Sequence, residues 1–396
     1  MAERKGINHT DLKNRNRGLV LQQIACQETP TRTQIARDIG LTKMAVTNIV
    51  TEWMRAGWVE ETQSAPSLSA GRNPVVLAVA PGAPLAIGLY LSRTCAAMLV
   101  ADLRLHVLWL KRRVLQEETR DSLTDKLVEL LREAMAWRES NRPEATVCGL
   151  GISAIGTLDV SGGQLLSPTD FFGIQDYPIA SRLQEACNLP VWLHNDMKAA
   201  ALAEKLYGAG RPLQNFLYVG ITAGVGAGIV SDGRLYQEAS GLVGEIGHMS
   251  IDYRGPICRC GARGCLETYI SIPVLLERLR AATGRDWAPT ALADAVRHPA
   301  AWAVLQDAAD ILAVALTNAV NLFNPACIFL GHEGAFLPDD WLQRIEDTMN
   351  HHILASAYRH VPVRRSYFGS TAPLLGSACV VWQELFAGRL IPAWPD

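Results

Sequence analysis

The chain has 396 residues, of which 49% are hydrophobic and 19% charged, and its net charge is −2. That length is too great for one small core and predicts two or three domains of a globular protein rich in buried surface. No apolar run reaches spanning length uninterrupted, and the opening Met-Ala-Glu-Arg-Lys-Gly lacks the apolar stretch of a signal peptide, which argues against membrane insertion and secretion.

Residues 1–60 carry nine Lys and Arg against six Asp and Glu, leaving the rest of the chain with 28 basic and 33 acidic side chains. The basic end coincides with three helical patterns. Residues 12–26 place Leu19, Val20 and Ile24 at helical spacing. Thr31 caps a second helix through Ile35, Ala36 and Ile39, which Gly40 ends. A third starts at Thr42 with Val46, Ile49, Val50, Trp53 and Met54 facing inward, and Gly57 stops it. This is a helix-turn-helix pattern whose outward Thr42, Lys43, Thr47 and Asn48 are placed to read bases in a DNA major groove. Two strand-like runs, 58–61 and 75–79, flank a Ser/Pro/Gly-rich loop. They read as a wing whose Arg72 touches a phosphate or the minor groove. A three-helix bundle used for protein contacts is the alternative.

From Pro84 the pattern becomes α/β. Apolar strand-like runs at 86–91, 96–100, 147–152, 191–193 and 216–219 alternate with helical segments at 123–137 and 197–207. A long helix at 307–322 and a strand at 326–330 come next. The expected domains are a head at 1–80, a first α/β lobe at 81–195 and a second at 196–396, the C-terminal segment being able to return to the first. A cleft between two such halves would hold ligands at strand ends. His194-Asn195-Asp196 directly follows a strand and precedes an alanine-rich helix. An amide and a carboxylate there suit sugar hydroxyls, and equally suit a helix N-cap. Thr222-Ala-Gly-Val-Gly-Ala-Gly228 is a glycine-rich turn after a strand, compatible with phosphate contact or with tight packing alone.

Gly244-Glu-Ile-Gly-His248 is followed by Cys258, Cys260 and Cys265. One imidazole and three sulfurs complete a tetrahedral zinc shell with no catalytic vacancy, so a structural Zn2+ is expected at His248, Cys258, Cys260 and Cys265. Gly261 and Gly264 allow so short a loop to fold back. If one ring nitrogen of His248 binds zinc, the other can face a ligand hydroxyl. The six remaining cysteines are scattered and read as reduced thiols of a cytoplasmic protein.

Together these residues resemble the ROK family of repressors, open reading frames and sugar kinases, over essentially the whole chain. The specific marks are Gly244-Glu-Ile-Gly-His248, Cys258-x-Cys260-Gly-x-x-Gly-Cys265-Leu-Glu267 and Asn195-Asp196. The resemblance implies an N-terminal winged helix-turn-helix followed by a two-lobed, actin/hexokinase-like (ribonuclease H-like) α/β domain. It assigns Asn195, Asp196, Glu245, His248 and Glu267 to a sugar. The family's kinases open with an Asp-x-Gly-Gly-Thr turn around ATP phosphates, where this chain has Tyr90-Leu-Ser92-Arg93-Thr94. Ala223 stands where those kinases have a threonine, the adenosine-side glycines become Gly331-His332-Glu333-Gly334, and Ala154-Ile-Gly-Thr157 replaces a proline-glycine turn. Intact sugar residues beside an eroded nucleotide site imply a regulator and not an enzyme. The resemblance therefore implies a sugar-responsive repressor of carbohydrate uptake or catabolism genes, acting as a homodimer or homotetramer on double-stranded operator DNA. The inducer is a sugar or sugar derivative, or a partner protein. An ATP-dependent sugar kinase carrying a DNA-binding head is the alternative.

Overall fold

Three helices open the chain, and a short polar side chain caps each of them. In the computed structural model, which describes residues 8–62, 75–168, 170–236 and 242–391, α1 (His9–Cys26) begins with a capping box between Asn8 and Asp11. Thr31 caps α2 (Arg32–Ile39), which stops at Gly40 with φ +71°. Thr42 caps α3 (Lys43–Arg55), its hydroxyl accepting from the Ala45 N–H at 3.1 Å. Val20, Leu21, Ile24, Ile35, Val46, Val50 and Trp53 form the interior. Met54 departs from the expected inward set: it is 37% exposed, because one step of about 100° past Trp53 carries it off the buried stripe. The strands β1 (Val59–Thr62) and β2 (Val76–Val79) pair antiparallel from Val59↔Val79 to Thr62↔Val76. Trp58, just before β1, stacks on Trp53 with centroids 4.8 Å apart.

The head belongs to one compact unit with the first α/β sheet. β3 (Leu85–Leu91), β4 (Cys95–Ala101) and β5 (Val107–Val114) form an antiparallel meander. α4 (Arg120–Asn141) then carries the chain to β6 (Val147–Ala154), parallel to β3, as a helical crossover allows. Residues 155–162, with β7 (Leu158–Asp159), group with the other unit. The chain returns through β8 (Gln164–Leu165), α5 (Ile179–Cys187) and β9 (Val191–Asn195), giving the order β5-β4-β3-β6-β9.

The second unit runs from His194 to Gly376. After α6 (Asp196–Leu206), the strands β10 (Phe216–Ile221), β11 (Val225–Ser231) and β12 (Arg234–Leu235) form another antiparallel meander. The helices α7 (Glu267–Ile270), α8 (Ile272–Thr283) and α9 (Pro299–Phe323) precede β13 (Ile328–His332), which runs parallel to β10. After α10 (Asp339–His352), β14 (Val363–Arg365) lies parallel to β13. The order β12-β11-β10-β13-β14 repeats the plan of the first sheet. Length and composition would let α9 cross a membrane. Its Leu305, Ala308, Leu312, Leu316 and Ala319 lie instead in the core with Leu330 and Trp341, while Asp307 and Asp310 pair with Arg278 and Arg344. The last helix, α11 (Ala372–Phe386), has its residues from Ser377 onward in the head's unit. There it meets α1 so closely that a Cβ on Gly18 would lie 2.2 Å from the Phe386 carbonyl oxygen.

Candidate functional site

Within the second unit, two segments bring the polar residues together: the start of α6, and the loop from Gly244 to Glu267. Asn195 is the N-cap of α6, its Oδ1 accepting from the Met197 N–H at 3.0 Å, so its amide nitrogen is the donor left to offer a ligand. Asp196 is 3% exposed and lies in the first helical turn, where the helix dipole favours an anion. Its Oδ1 accepts from the Met197 N–H at 3.0 Å.

The Gly244–His248 segment lies flush on β11. The Ala227 N–H donates to the Gly244 carbonyl at 2.7 Å, and a Cβ on Gly244 or Gly247 would sit 2.0 or 2.1 Å from the Ala227 or Val225 carbonyl oxygen. Only glycine permits that approach, and it sets Glu245 and His248 beside α6. Desolvation of the carboxyl end raises Glu245 above its ordinary value, although the residue as a whole is exposed. The charges of His248 and Lys198 pull it back down, and those of Asp196 and Glu267 push it up. Asp196, Lys198, Glu245, His248 and Glu267 therefore share one electrostatic neighbourhood.

The donor atoms of His248, Cys258, Cys260 and Cys265 all lie within 4.8 Å of one another. Ligands 2.3 Å from a tetrahedral zinc stand about 3.8 Å apart. Here Cys258 Sγ is 3.7 Å from His248 Nδ1, and Cys260 Sγ is 3.6 Å from Cys265 Sγ. The donor set thus fits a metal ion of zinc's size and softness. Gly261 and Gly264 turn the loop at φ +91° and +66°. Burial pushes the Cys258 thiol up to about 12, whereas the Ala262 N–H brings Cys260 down to about 7. His248 faces this cluster through Nδ1, which leaves Nε2 as the nitrogen for other use. Glu267, the first residue of α7, accepts from Cys258 Sγ at 3.1 Å through Oε1. The same oxygen stands 3.6 Å from His248 Nδ1.

On the head, Thr42, Lys43 and Asn48 are exposed and Thr47 is half-buried. The Thr47 hydroxyl donates to the Lys43 carbonyl at 2.8 Å. Arg72 lies outside the described residues. In the hairpin after β3, the Ser92 Oγ donates to the Cys95 carbonyl and accepts from its N–H, both at 3.1 Å. In the turn at Thr222, the Gly224 N–H donates to Thr222 Oγ1 at 3.2 Å, and Ala223 supplies no hydroxyl.

Sequence reasoning misses two residues of this neighbourhood. Lys198 is 3% exposed in α6; a lysine inside an alanine-rich run is the available signal. His332 reaches Asp196 only because β13 pairs with β10, register Ile221↔His332, and no local pattern announces that.

Comparison with known proteins extends these observations. Residues 87–384 match the ROK family. A xylose repressor of Caldicellulosiruptor bescii is 27% identical, covering 96% of this chain and 98% of the repressor. The solved structure of a ROK family transcriptional regulator, a homologue of the Escherichia coli MLC protein, has a TM-score of 0.80 and 26% identity over 96% of this chain and 98% of its own. A ROK hexokinase from Thermus thermophilus has a TM-score of 0.65 and 29% identity, but covers 76% of this chain and 98% of its own. A helical head followed by an actin-like α/β domain with two sheets is the architecture this chain shares with that regulator, and the chain belongs to the ROK family.

Proposed function

We propose that this chain is a sugar-responsive transcriptional regulator, a repressor of carbohydrate uptake or catabolism genes that works in the cytoplasm. The observation that carries this reading is extent. A transcriptional regulator covers 96% of the chain, head included, whereas the hexokinase covers 76%. The sugar would be held by acceptors and donors of matched kind. Asp196, Glu245 and Glu267 accept from hydroxyls, while the Asn195 amide and His248 Nε2 meet the ring or hydroxyl oxygens. A structural Zn2+ on His248, Cys258, Cys260 and Cys265 would fix the loop that carries these groups. Four protein ligands complete its shell.

Lys43 and Asn48 at the exposed start of α3 would meet operator DNA, with Thr42, Thr47 and Arg72 in support. Two heads of a homodimer, or of a homotetramer, would read half-sites roughly 34 Å apart. Sugar shifts DNA affinity only as far as it prefers one arrangement of the chain over another. The test is operator binding by fluorescence anisotropy with and without D-xylose, D-glucose and N-acetyl-D-glucosamine. One of these sugars should weaken the complex. If none alters either the complex or the melting temperature across a wider panel of monosaccharides, the reading fails.

The rival is an ATP-dependent sugar kinase with a DNA-binding head, favoured by the 29% identity to the hexokinase. Against it stand Tyr90 and Arg93 in the first turn, and a Ser92 hydroxyl committed to closing its own hairpin. Sustained ADP release dependent on any of these sugars would establish the rival.

A further inference from the structure

His332 ends β13 with φ +54° and ψ −141°, a left-handed conformation that strains a residue with a side chain. Strain of this kind persists where the surroundings hold the residue for a purpose, and the surroundings here are specific. The ring is 2% exposed. Tyr218, fully buried on the neighbouring strand β10, accepts from the His332 backbone N–H at 3.2 Å and stands 3.0 Å from Nδ1. A phenol has a single proton, and while its oxygen accepts from the backbone that proton is available to Nδ1. With the phenol donating to Nδ1, the ring hydrogen sits on Nε2.

Nε2 has no hydrogen-bond partner among the described residues, yet lies 3.5 Å from Asp196 Oδ2, both side chains being almost wholly buried. The opposite tautomer would turn a nitrogen lone pair onto a carboxylate in a site shielded from water, which is repulsive. A contact of 3.5 Å is long for a hydrogen bond, and polar contacts at binding sites commonly tighten when the ligand arrives.

We propose that His332 is a positioning residue for the sugar site. Tyr218 sets its tautomer, and its Nε2–H holds Oδ2 of Asp196, fixing the carboxylate as an acceptor for a ligand hydroxyl. The inference rests on the reading of Asp196 as a sugar contact, and its test separates the two.

The first measurement is the tautomeric state of His332 in the full-length, sugar-free protein, by long-range 1H–15N NMR with His332→Gln identifying the signal. The expected result is a proton on Nε2 and an acceptor at Nδ1, with Tyr218→Phe disturbing that state. A proton on Nδ1 alone would overturn the proposal whatever the protein binds. The second is titration with D-xylose, D-glucose and N-acetyl-D-glucosamine. His332→Leu, which removes the donor, should weaken whichever sugar binds by about tenfold or more. His332→Gln, which keeps an N–H, should recover most of that loss, a pattern that mere packing would not produce. Equal binding by the two variants refutes the proposal. Failure of the wild type to bind any sugar, with the Nε2–H tautomer found, counts against the sugar reading alone.

Discussion

Each of the four donors around the metal cluster fills one position of a tetrahedral shell. Cys258→Ser should reduce zinc per chain to background in metal analysis of the purified protein. Sugar affinity should fall with it, because His248 and Glu267 sit at the two ends of the same loop. Unchanged sugar binding by a zinc-free variant would show that the loop keeps its shape without the ion. Glu204 makes a second prediction. It is fully buried and accepts from Ser366 Oγ at 2.6 Å and from the Ala209 and Phe368 N–H groups. Burial nonetheless raises its carboxyl above the ordinary 4.5. A raised value means that the folded state favours the neutral form. The stabilising contribution is therefore complete below about pH 4.5 and is lost as pH climbs through the higher folded value. Relative to Glu204→Gln, the wild type should lose stability above that point, by about 1.4 kcal/mol for each unit of displacement. Parallel melting curves for the two proteins across pH 4 to 7 would contradict this.

At the scale of elements, α3 and α11 carry the predictions. Lys43→Ala should lower affinity for DNA and flatten its salt dependence, since a protein cation at the groove displaces counterions whether it faces a base or a phosphate. Asn48→Ala should instead erode discrimination between operator and random DNA by about 1–3 kcal/mol. Identical effects of both on all sequences would mean that α3 does not enter the groove as proposed. Helix caps are legible in the sequence, since Thr31, Gly40 and Thr42 act through their own backbone and need no distant partner. Met54 misleads because a thioether at the rim of an apolar stripe has the composition of a core residue without its angle. The Gly18–Phe386 approach is invisible there, joining residues at opposite ends of the chain. It predicts that removing α11 weakens operator binding although α11 supplies no proposed DNA contact. A truncated chain with full affinity would show that α1 stands without it.

At the scale of the molecule, both sheets follow one plan, a three-stranded meander extended by two further strands. The alternation of apolar runs and helices announces α/β layers, but strand order depends on pairings between residues more than a hundred positions apart, as in β10 with β13. The same limit governs the site. The metal donors and the Glu245–His248 segment are legible because they lie within about two dozen residues of each other in sequence. Lys198 and His332 are not, because their partners are set by packing. Ligand binding should register on the whole fold: a sugar at 100 times its dissociation constant stabilises by about 2.7 kcal/mol, visible as a rise in melting temperature. Asp196→Asn should abolish that rise.

The unit that contains the head takes residues from Met1–Ala154, Gly163–Leu193 and Ser377–Asp396. A ribosome therefore releases α3 long before it makes the turn of α11 that backs α1. Domains tend to complete as their segments emerge, and this one cannot complete before α11 has been made. A nascent chain that lacks α11 would thus carry α3 on an incompletely supported head.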